Sequence, residues 1–477
     1  MTDTPFSFPA IHECPLRYQA IHHPSAIAIT GEENTISFTQ LDQMVEQCRL
    51  HLSGKGLNAG ERILFVTEDA LKTVVLLFAC LRSQWIFSPV NPAFPVAQRE
   101  DYGKRIGASL IASGNDLPDA FDKCFDECFY ECFYESSETL NNPVSINISP
   151  DAVFDLIATS GTTGTPKAVA HSYKNHFYSA GGSMSELPLN RGDTWLLSLP
   201  LFHVGGLAII MRCVLAGATV ALFQKKISLA DMLATQRISH LSLVNTQLFR
   251  LLEQGVNLHA LGVRYILLGG GVASPALVAK AREQGVNLLT TYGMTEMASQ
   301  ICTGEPEFVH GGVTSGRVLP YRKLTLSEDN EILVSGETLA QGYFESGEVT
   351  PLMDQSGWFH TGDKGEWCGE QIKINGRIDN MMISGGENIH PEEIEQALLM
   401  LPNIVQAVVV AVEHTEFGHR PLAYVQTVDG QLNEFEVKTL LTGALAKFKI
   451  PEHVRLFPDT VSNSGIKVNR KEFQRLA

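Results

Sequence analysis

The sequence predicts an α/β protein, with a large N-terminal domain of parallel-rich sheets covered by helices and a small α+β C-terminal domain. Three observations carry this expectation. The chain of 477 residues exceeds what one hydrophobic core organises, so it divides. Through residue 330, β-rich apolar runs alternate with helical patterns, the texture of strands joined by covering helices. Beyond that point the strands shorten and hairpin signals multiply.

The alternation can be followed along the chain. "RILFVTE" leads into "ALKTVVLLFACLRSQ", "TWLLSLP" into "GLAIIMRCVLAGA", and "RYILLGG" into "SPALVAKAREQG". Each first member is an apolar run of strand length, and each second one has helical spacing. In parallel sheets ligands bind beyond the carboxyl ends of strands. Polar or glycine-rich loops at 159–167, 201–206, 269–274 and 291–299 are therefore expected to converge on one crevice. Residues 391–401 read as a helix, with Pro391 at its start, acids in the first turn, and Ile394, Leu398 and Leu401 on one face. Strands at "VQAVVVAVE" and "PLAYVQTV" and a helix at "EFEVKTLLTGALAKF" complete the tail. The domain boundary is placed at Asp379, giving domains 1–378 and 379–477.

Composition narrows the partners. A formal net charge of −16 gives no basic excess for nucleic acid and favours small molecules, including anionic ones held by local lysines and loop amides. The start "MTDTPFSFPAIHECPLRYQ" lacks the pattern of a secretion signal, and no apolar window is long enough for a transmembrane segment, so a cytoplasmic location is expected. Nine cysteines without paired spacing read as free thiols. In "KCFDECFYECFYES", Cys124, Cys128 and Cys132 recur every four residues. They read as an apolar helical stripe from a local duplication or as soft metal ligands, with no CxxC or histidine beside them.

The stretch "TSGTTGTPKAV" follows the apolar run "VFDLIA". Its glycines admit close backbone approach, its hydroxyls donate hydrogen bonds and Lys167 adds charge, all of which suit an anion. The P-loop spacing is absent, since Gly161 and Gly164 are three apart and Lys167 follows a proline. A Walker-type NTPase is therefore disfavoured.

"TSGTTGTPKAV", "LPLFHV", "YGMTEMAS", "GWFHTGDKGEW", "NGRIDNMMISGGENIHPEEIE" and "SGIKVNR" occur in the order and approximate spacing of the adenylate-forming superfamily of acyl-CoA synthetases, luciferases and adenylation domains. The resemblance spans most of the chain. It implies that the small C-terminal domain is mobile, that ATP, Mg2+ and a carboxylic acid meet between the two domains, and that coenzyme A accepts the acyl group. By that resemblance Thr159, Ser160, Gly161, Thr162, Thr163, Gly164 and Lys167 cradle the triphosphate. Glu296 resembles the magnesium ligand, with Thr163 its companion, as a hard cation prefers oxygen ligands. Gly270, Gly271, Thr291, Tyr292, Gly293 and Thr295 would line the nucleotide, with Tyr292 against the adenine. Asp363 would accept the ribose hydroxyls, Arg377 would make a second nucleotide contact, and Asp379 would be the hinge.

The catalytic lysine of the family is expected near the end of the chain. The pattern departs there, because Ile466 separates Gly465 from Lys467; registering on Arg470 selects Lys467, with Lys471 as the alternative. Ser384, Gly385 and Gly386 resemble one wall of a pantetheine tunnel. His203 resembles a residue near the acyl group, acting in packing, in gating or as a base. Gly269 and Gly270 would admit the substrate. "WLLSLPLFHVGG", "LLGGG", "EFGHRPLAYV" and "GIKVNR" narrow the likeness to acid–thiol ligases whose acid carries a second carboxylate. Arg212, nine residues after His203, aligns with an arginine suited to that second carboxylate through its planar fork of donors. Another aryl or acyl-CoA ligase, an adenylation domain serving a separate carrier, and a silent nucleotide-binding regulator remain as rivals. A homodimer is the assembly to be tested.

Overall fold

The computed structural model describes residues 9–31, 35–113, 146–159, 166–223, 227–271, 273–309, 312–384, 387–401, 403–442, 444–458 and 470–477. The apolar runs form two large mixed sheets. One has the strand order Glu348–Pro351, Gly342–Glu345, Lys167–Ser172, Val153–Thr159, Ile86–Pro89, Arg62–Val66, Leu110–Ser113. The other runs Arg317–Val318, Ser299–Gly304, Asn287–Met294, Tyr265–Leu268, His240–Leu243, Thr194–Leu197, Thr219–Leu222, Ile27–Thr30, Thr35–Ser37.

Their centres are parallel, as the strand-then-helix texture implies. Elsewhere the expectation of parallel pairing is corrected. Val153–Thr159 and Lys167–Ser172 pair antiparallel across the 159–167 connection, and Asn287–Met294 folds back on Ser299–Gly304. Parallel strands need a crossover of a dozen or more residues, and neither connection is that long. The loop expected over 291–299 is accordingly mostly strand, with a 3-10 turn at Thr295–Met297.

One core cluster draws residues from both sheets and from the helices Phe38–Gly54, Ala70–Ser83, Tyr173–Ser183 and Val204–Ala216. The last of these is apolar on every side and buried along nearly its whole length, as expected of a helix without a solvent face. A four-stranded antiparallel sheet, Arg322–Leu326, Glu331–Gly336, Phe359–Cys368 and Gln371–Arg377, follows.

The short 3-10 turn Ile378–Asn380 leads to the last sheet, where Ile404–His414 and Gly418–Thr427 form a long hairpin. Pro391–Leu399 packs on it, and Ile389, Ile394, Leu398, Val409 and Val425 share a separate core. The expected helix over 391–401 thus ends at Leu399. The one expected at "EFEVKTLLTGALAKF" spans Glu434–Thr442, with a 3-10 turn at Lys447–Lys449. Among the described residues no helix is long and apolar enough to cross a membrane. Cys124, Cys128 and Cys132 lie outside the described residues.

Candidate active site

At the open end of the first sheet, Lys167 and Tyr343 come from neighbouring antiparallel strands. Val169 pairs with Tyr343, and Lys167, two residues back on the same strand face, places its Nζ 4.5 Å from the centre of the Tyr343 ring. The Tyr343 hydroxyl donates to Glu296 Oε1 at 2.9 Å. Burial and the Glu296 carboxylate push the Tyr343 phenol upward, so it stays a donor at neutral pH. Lys167 and Glu296, far apart in sequence, thus meet through a tyrosine that no motif had singled out.

Glu296 sits on the Thr295–Met297 turn, after which Ala298 and Ser299 both have positive φ, 49° and 105°. Non-glycine residues held in that region concentrate at functional sites. The turn is pinned on each side: the Glu296 carbonyl accepts from Ala340 N at 2.8 Å, and the Ala298 carbonyl from Ser179 Oγ at 2.6 Å. Gly293 makes this hairpin possible, since a Cβ there would lie 2.0 Å from the Ser299 carbonyl oxygen. A partly exposed carboxylate on a pinned turn, joined through Tyr343 to Lys167, is the kind of donor a hard divalent cation takes.

A second cluster forms around Asp363. Tyr292 donates its hydroxyl to Asp363 Oδ2 at 2.6 Å, and Arg377 donates to Oδ1 at 3.2 Å. Arg377 also donates its Nε to Asp379 at 2.8 Å. Burial opposes the Arg377 charge, but the two carboxylates outweigh it and hold its pKa above the ordinary value. A carboxylate offers about four lone-pair directions, so these bonds are compatible with ribose hydroxyls joining them.

Arg212 occupies the middle of the buried helix and is only 1% exposed. Its NH2 donates to Gln300 Oε1 at 2.6 Å and its guanidinium lies 5.2 Å from the centre of the Trp195 ring, while its buried Nε has no hydrogen-bond partner. Among the described residues no carboxylate pairs with it, and burial pushes it down to about 10. Gln300 passes the contact onward: its Nε2 donates to Thr303 Oγ1 at 2.6 Å, and that hydroxyl donates to Thr291 Oγ1 at 2.9 Å. A Cβ at Gly269 would stand 2.8 Å from the Thr291 methyl, and Gly270 has φ +84° with Val244 close by. Arg212, Thr291 and Gly269 are therefore physically continuous. His203, at the N-terminal end of Arg212's helix, is exposed, with its ring 4.7 Å from that of Phe202.

Of the other expected residues, Gly271 is open around its Cα, and Ser384 ends the Met382–Ser384 strand in a buried position. Ser160, Gly161, Thr162, Thr163, Gly164, Gly385, Gly386 and Lys467 lie outside the described residues. Lys471 is exposed on the Arg470–Leu476 helix. Beside Tyr343, Gln300 and Trp195, sequence reasoning missed a buried trio. Asp155 accepts from His171 Nδ1 at 2.8 Å and from His176 Nε2 at 2.5 Å, and all three are fully or almost fully buried. Polar letters inside the apolar runs "VFDLIA" and "AVAHSYKNH" were its only sign.

The profile of the AMP-binding enzyme family matches residues 16–344, and that of the AMP-binding enzyme C-terminal domain matches residues 393–464. The chain is 32% identical over 463 residues to a 2-succinylbenzoate–CoA ligase of Salmonella typhimurium, covering 97% of each chain. Its fold matches the o-succinylbenzoate CoA synthetase (MenE) of Bacillus subtilis in complex with the acyl-adenylate intermediate OSB-AMP, with TM-score 0.83 and 28% identity over 97% of this chain and 98% of that one. The same Bacillus subtilis enzyme in complex with ATP and magnesium ion matches with TM-score 0.80 and 28% identity over 93% and 96%.

Proposed function

Because the chain belongs to the AMP-binding enzyme family, we propose that it activates 2-succinylbenzoate with ATP and transfers the acyl group to coenzyme A, a step of menaquinone biosynthesis. In the first half reaction a substrate carboxylate oxygen attacks the α-phosphorus of ATP and pyrophosphate leaves. In the second the CoA thiol, losing its proton, attacks the acyl carbon and AMP leaves. The first step brings anions together, so charge neutralisation and alignment dominate its barrier.

Lys167, with Thr159, Ser160, Gly161, Thr162, Thr163 and Gly164, holds the departing pyrophosphate. Glu296, oriented by Tyr343, would hold magnesium with Thr163; the ion, when bound, supplies positive charge to the phosphates. Tyr292 lies along the adenine, beside Gly270, Gly271, Thr291, Gly293 and Thr295. Asp363 accepts the ribose hydroxyls and Arg377 braces it. Lys467 contacts the attacking carboxylate. Asp379, between domains 1–378 and 379–477, is the pivot about which the small domain turns to bring Ser384, Gly385 and Gly386 to the pantetheine path, which His203 borders.

The observation that carries the choice of acid is Arg212. A buried guanidinium needs an anion, and the second carboxylate of 2-succinylbenzoate is that anion. Gly269 and Gly270 leave room for its ring. The reaction is assigned to the cytoplasm. The test is CoA-dependent AMP release across 2-succinylbenzoate, benzoate, coumarate and fatty acids. Turnover of the monoacids with none of 2-succinylbenzoate would remove the narrower reading and leave another acyl-CoA ligase. Sedimentation velocity tests the homodimer.

A further inference from the structure

We propose that His171 is a positioning residue for the magnesium-binding turn: held by Asp155, it grips the Thr295 carbonyl and so sets where Glu296 presents its carboxylate. This rests on Glu296 being the magnesium ligand, as proposed above.

Asp155 and His171 face each other directly across the Val153–Thr159 and Lys167–Ser172 strands. His171 Nδ1 lies 2.8 Å from Asp155 Oδ1, and its Nε2 lies 2.7 Å from the Thr295 carbonyl oxygen. Both partners are acceptors, so both ring nitrogens carry protons and the ring is an imidazolium. The charges agree with this. Burial would raise the Asp155 carboxyl, but the two imidazoles outweigh it and hold it down to about 2; burial would lower His171, but Asp155 outweighs it and raises its pKa. His176 donates its Nε2 proton to the other Asp155 oxygen.

A carboxylate and two imidazoles in one place also suggest a metal site. The distances argue otherwise. Each histidine places one ring nitrogen at hydrogen-bond distance from an Asp155 oxygen, and His171 spends its second nitrogen on a carbonyl.

The grip matters because Thr295 immediately precedes the carboxylate-bearing residue. Thr295 opens the 3-10 turn that carries Glu296, and the turn closes through two positive-φ residues, Ala298 and Ser299. Such a backbone persists only when its surroundings over-determine it. Asn175, on the helix that carries His176, donates to the Glu337 and Leu339 carbonyls at 2.8 and 2.9 Å, fixing the segment whose Ala340 N–H holds the Glu296 carbonyl. The 171–176 region thus braces the turn from both flanks, and His171 meets it at the Thr295 carbonyl, which also accepts from Ala298 N within the turn, at the residue before the carboxylate.

The experiment follows ATP–pyrophosphate exchange by the full chain as magnesium is titrated, in the parent and in His171→Gln, His176→Gln and Glu296→Gln, with melting curves for each. Glutamine can donate toward Asp155 or toward Thr295 but not to both. His171→Gln is expected to raise the half-saturating magnesium concentration about tenfold, the scale for losing a group that orients a metal ligand, with a smaller change in rate at saturating metal. His176→Gln is expected to lower the melting temperature without moving the magnesium requirement.

An unmoved requirement in His171→Gln, or equal shifts in both histidine variants, would overturn the proposal and leave a core ion pair. If Glu296→Gln leaves the requirement unchanged, the magnesium reading itself falls and takes the proposal with it. Should His171→Gln not fold, 15N-histidine NMR of the parent decides. A buried ring with two slowly exchanging N–H protons at neutral pH supports the assignment, and a neutral tautomer at this position overturns it.

Discussion

Replacing the buried Arg212 with methionine separates substrate recognition from fold stability. The guanidinium falls from its ordinary 12.5 to about 10 through burial alone, roughly 3 kcal/mol against the charged form at neutral pH. Arg212→Met removes that penalty. It also strands Gln300 Oε1, at about 1–3 kcal/mol, and gives up the contact over Trp195, worth about 1–2 kcal/mol. These opposed quantities nearly cancel, so the ligand-free variant is expected to melt within about 3 °C of the parent. Catalysis has no such offset. A charge-assisted hydrogen bond to the second carboxylate is worth about 1.5–3 kcal/mol, or roughly ten- to a hundredfold in kcat/KM. The assay is CoA-dependent AMP release with 2-succinylbenzoate and with benzoate, which lacks the second carboxylate, and the quantity read is the ratio of the two kcat/KM values. An unchanged ratio, or parallel losses on both acids with a collapsed melting temperature, would refute the reasoning.

Lys467→Ala is expected to lose most adenylation while still converting a supplied acyl adenylate to thioester; Lys471→Ala, tested beside it, should do neither harm. Asp379→Pro should retain pyrophosphate exchange and impair thioester formation, because proline restricts the backbone at the proposed pivot. Tyr343→Phe keeps the ring beside Lys167 but removes the donor to Glu296, and should slow adenylation about tenfold, as measured by pyrophosphate exchange. Asp155 titrates near 2 rather than 3.8, and His171 above 6.5. Their pairing therefore stabilises the fold fully between about pH 4 and 6.5, fading as pH falls through the Asp155 value or rises through the His171 value. The melting gap between the parent and Asp155→Asn should be widest in that window.

Strand and helix alternation was legible because it depends on local apolar spacing, and the six motifs were legible because their chemistry lies in contiguous letters. Strand direction was less so. The antiparallel returns at 159–167 and after Met294 follow from connection length, a signal that was present but outweighed by the repeated strand-then-helix texture. Tyr343 and the Asp155 trio had no local signature, since what defines them is cross-strand register, which brings Val169 opposite Tyr343 and Asp155 opposite His171.

Arg212 is the instructive intermediate. Its surroundings, "GLAIIMRCVLAGA", are apolar on every side of a helix, and such a helix has no solvent face to offer a charge. Its burial could thus have been inferred before any contact was seen, against the ordinary expectation that an arginine ends at the surface. The remaining step needs the structure. Gln300 is neutral, and the nearby buried Arg322, itself pushed down to about 9 by burial and by Arg212, adds a second positive charge instead of an acid. Arg322 spends its donors on the carbonyls of Gln300, Tyr178, Pro320 and Ser179, which fixes it as part of the scaffold. Arg212 is held by one amide and one ring, and no acid among the described residues answers its charge. A fold that maintains this at a cost in stability gains from it when an anion arrives, which is the ground for proposing the second carboxylate of 2-succinylbenzoate as its partner.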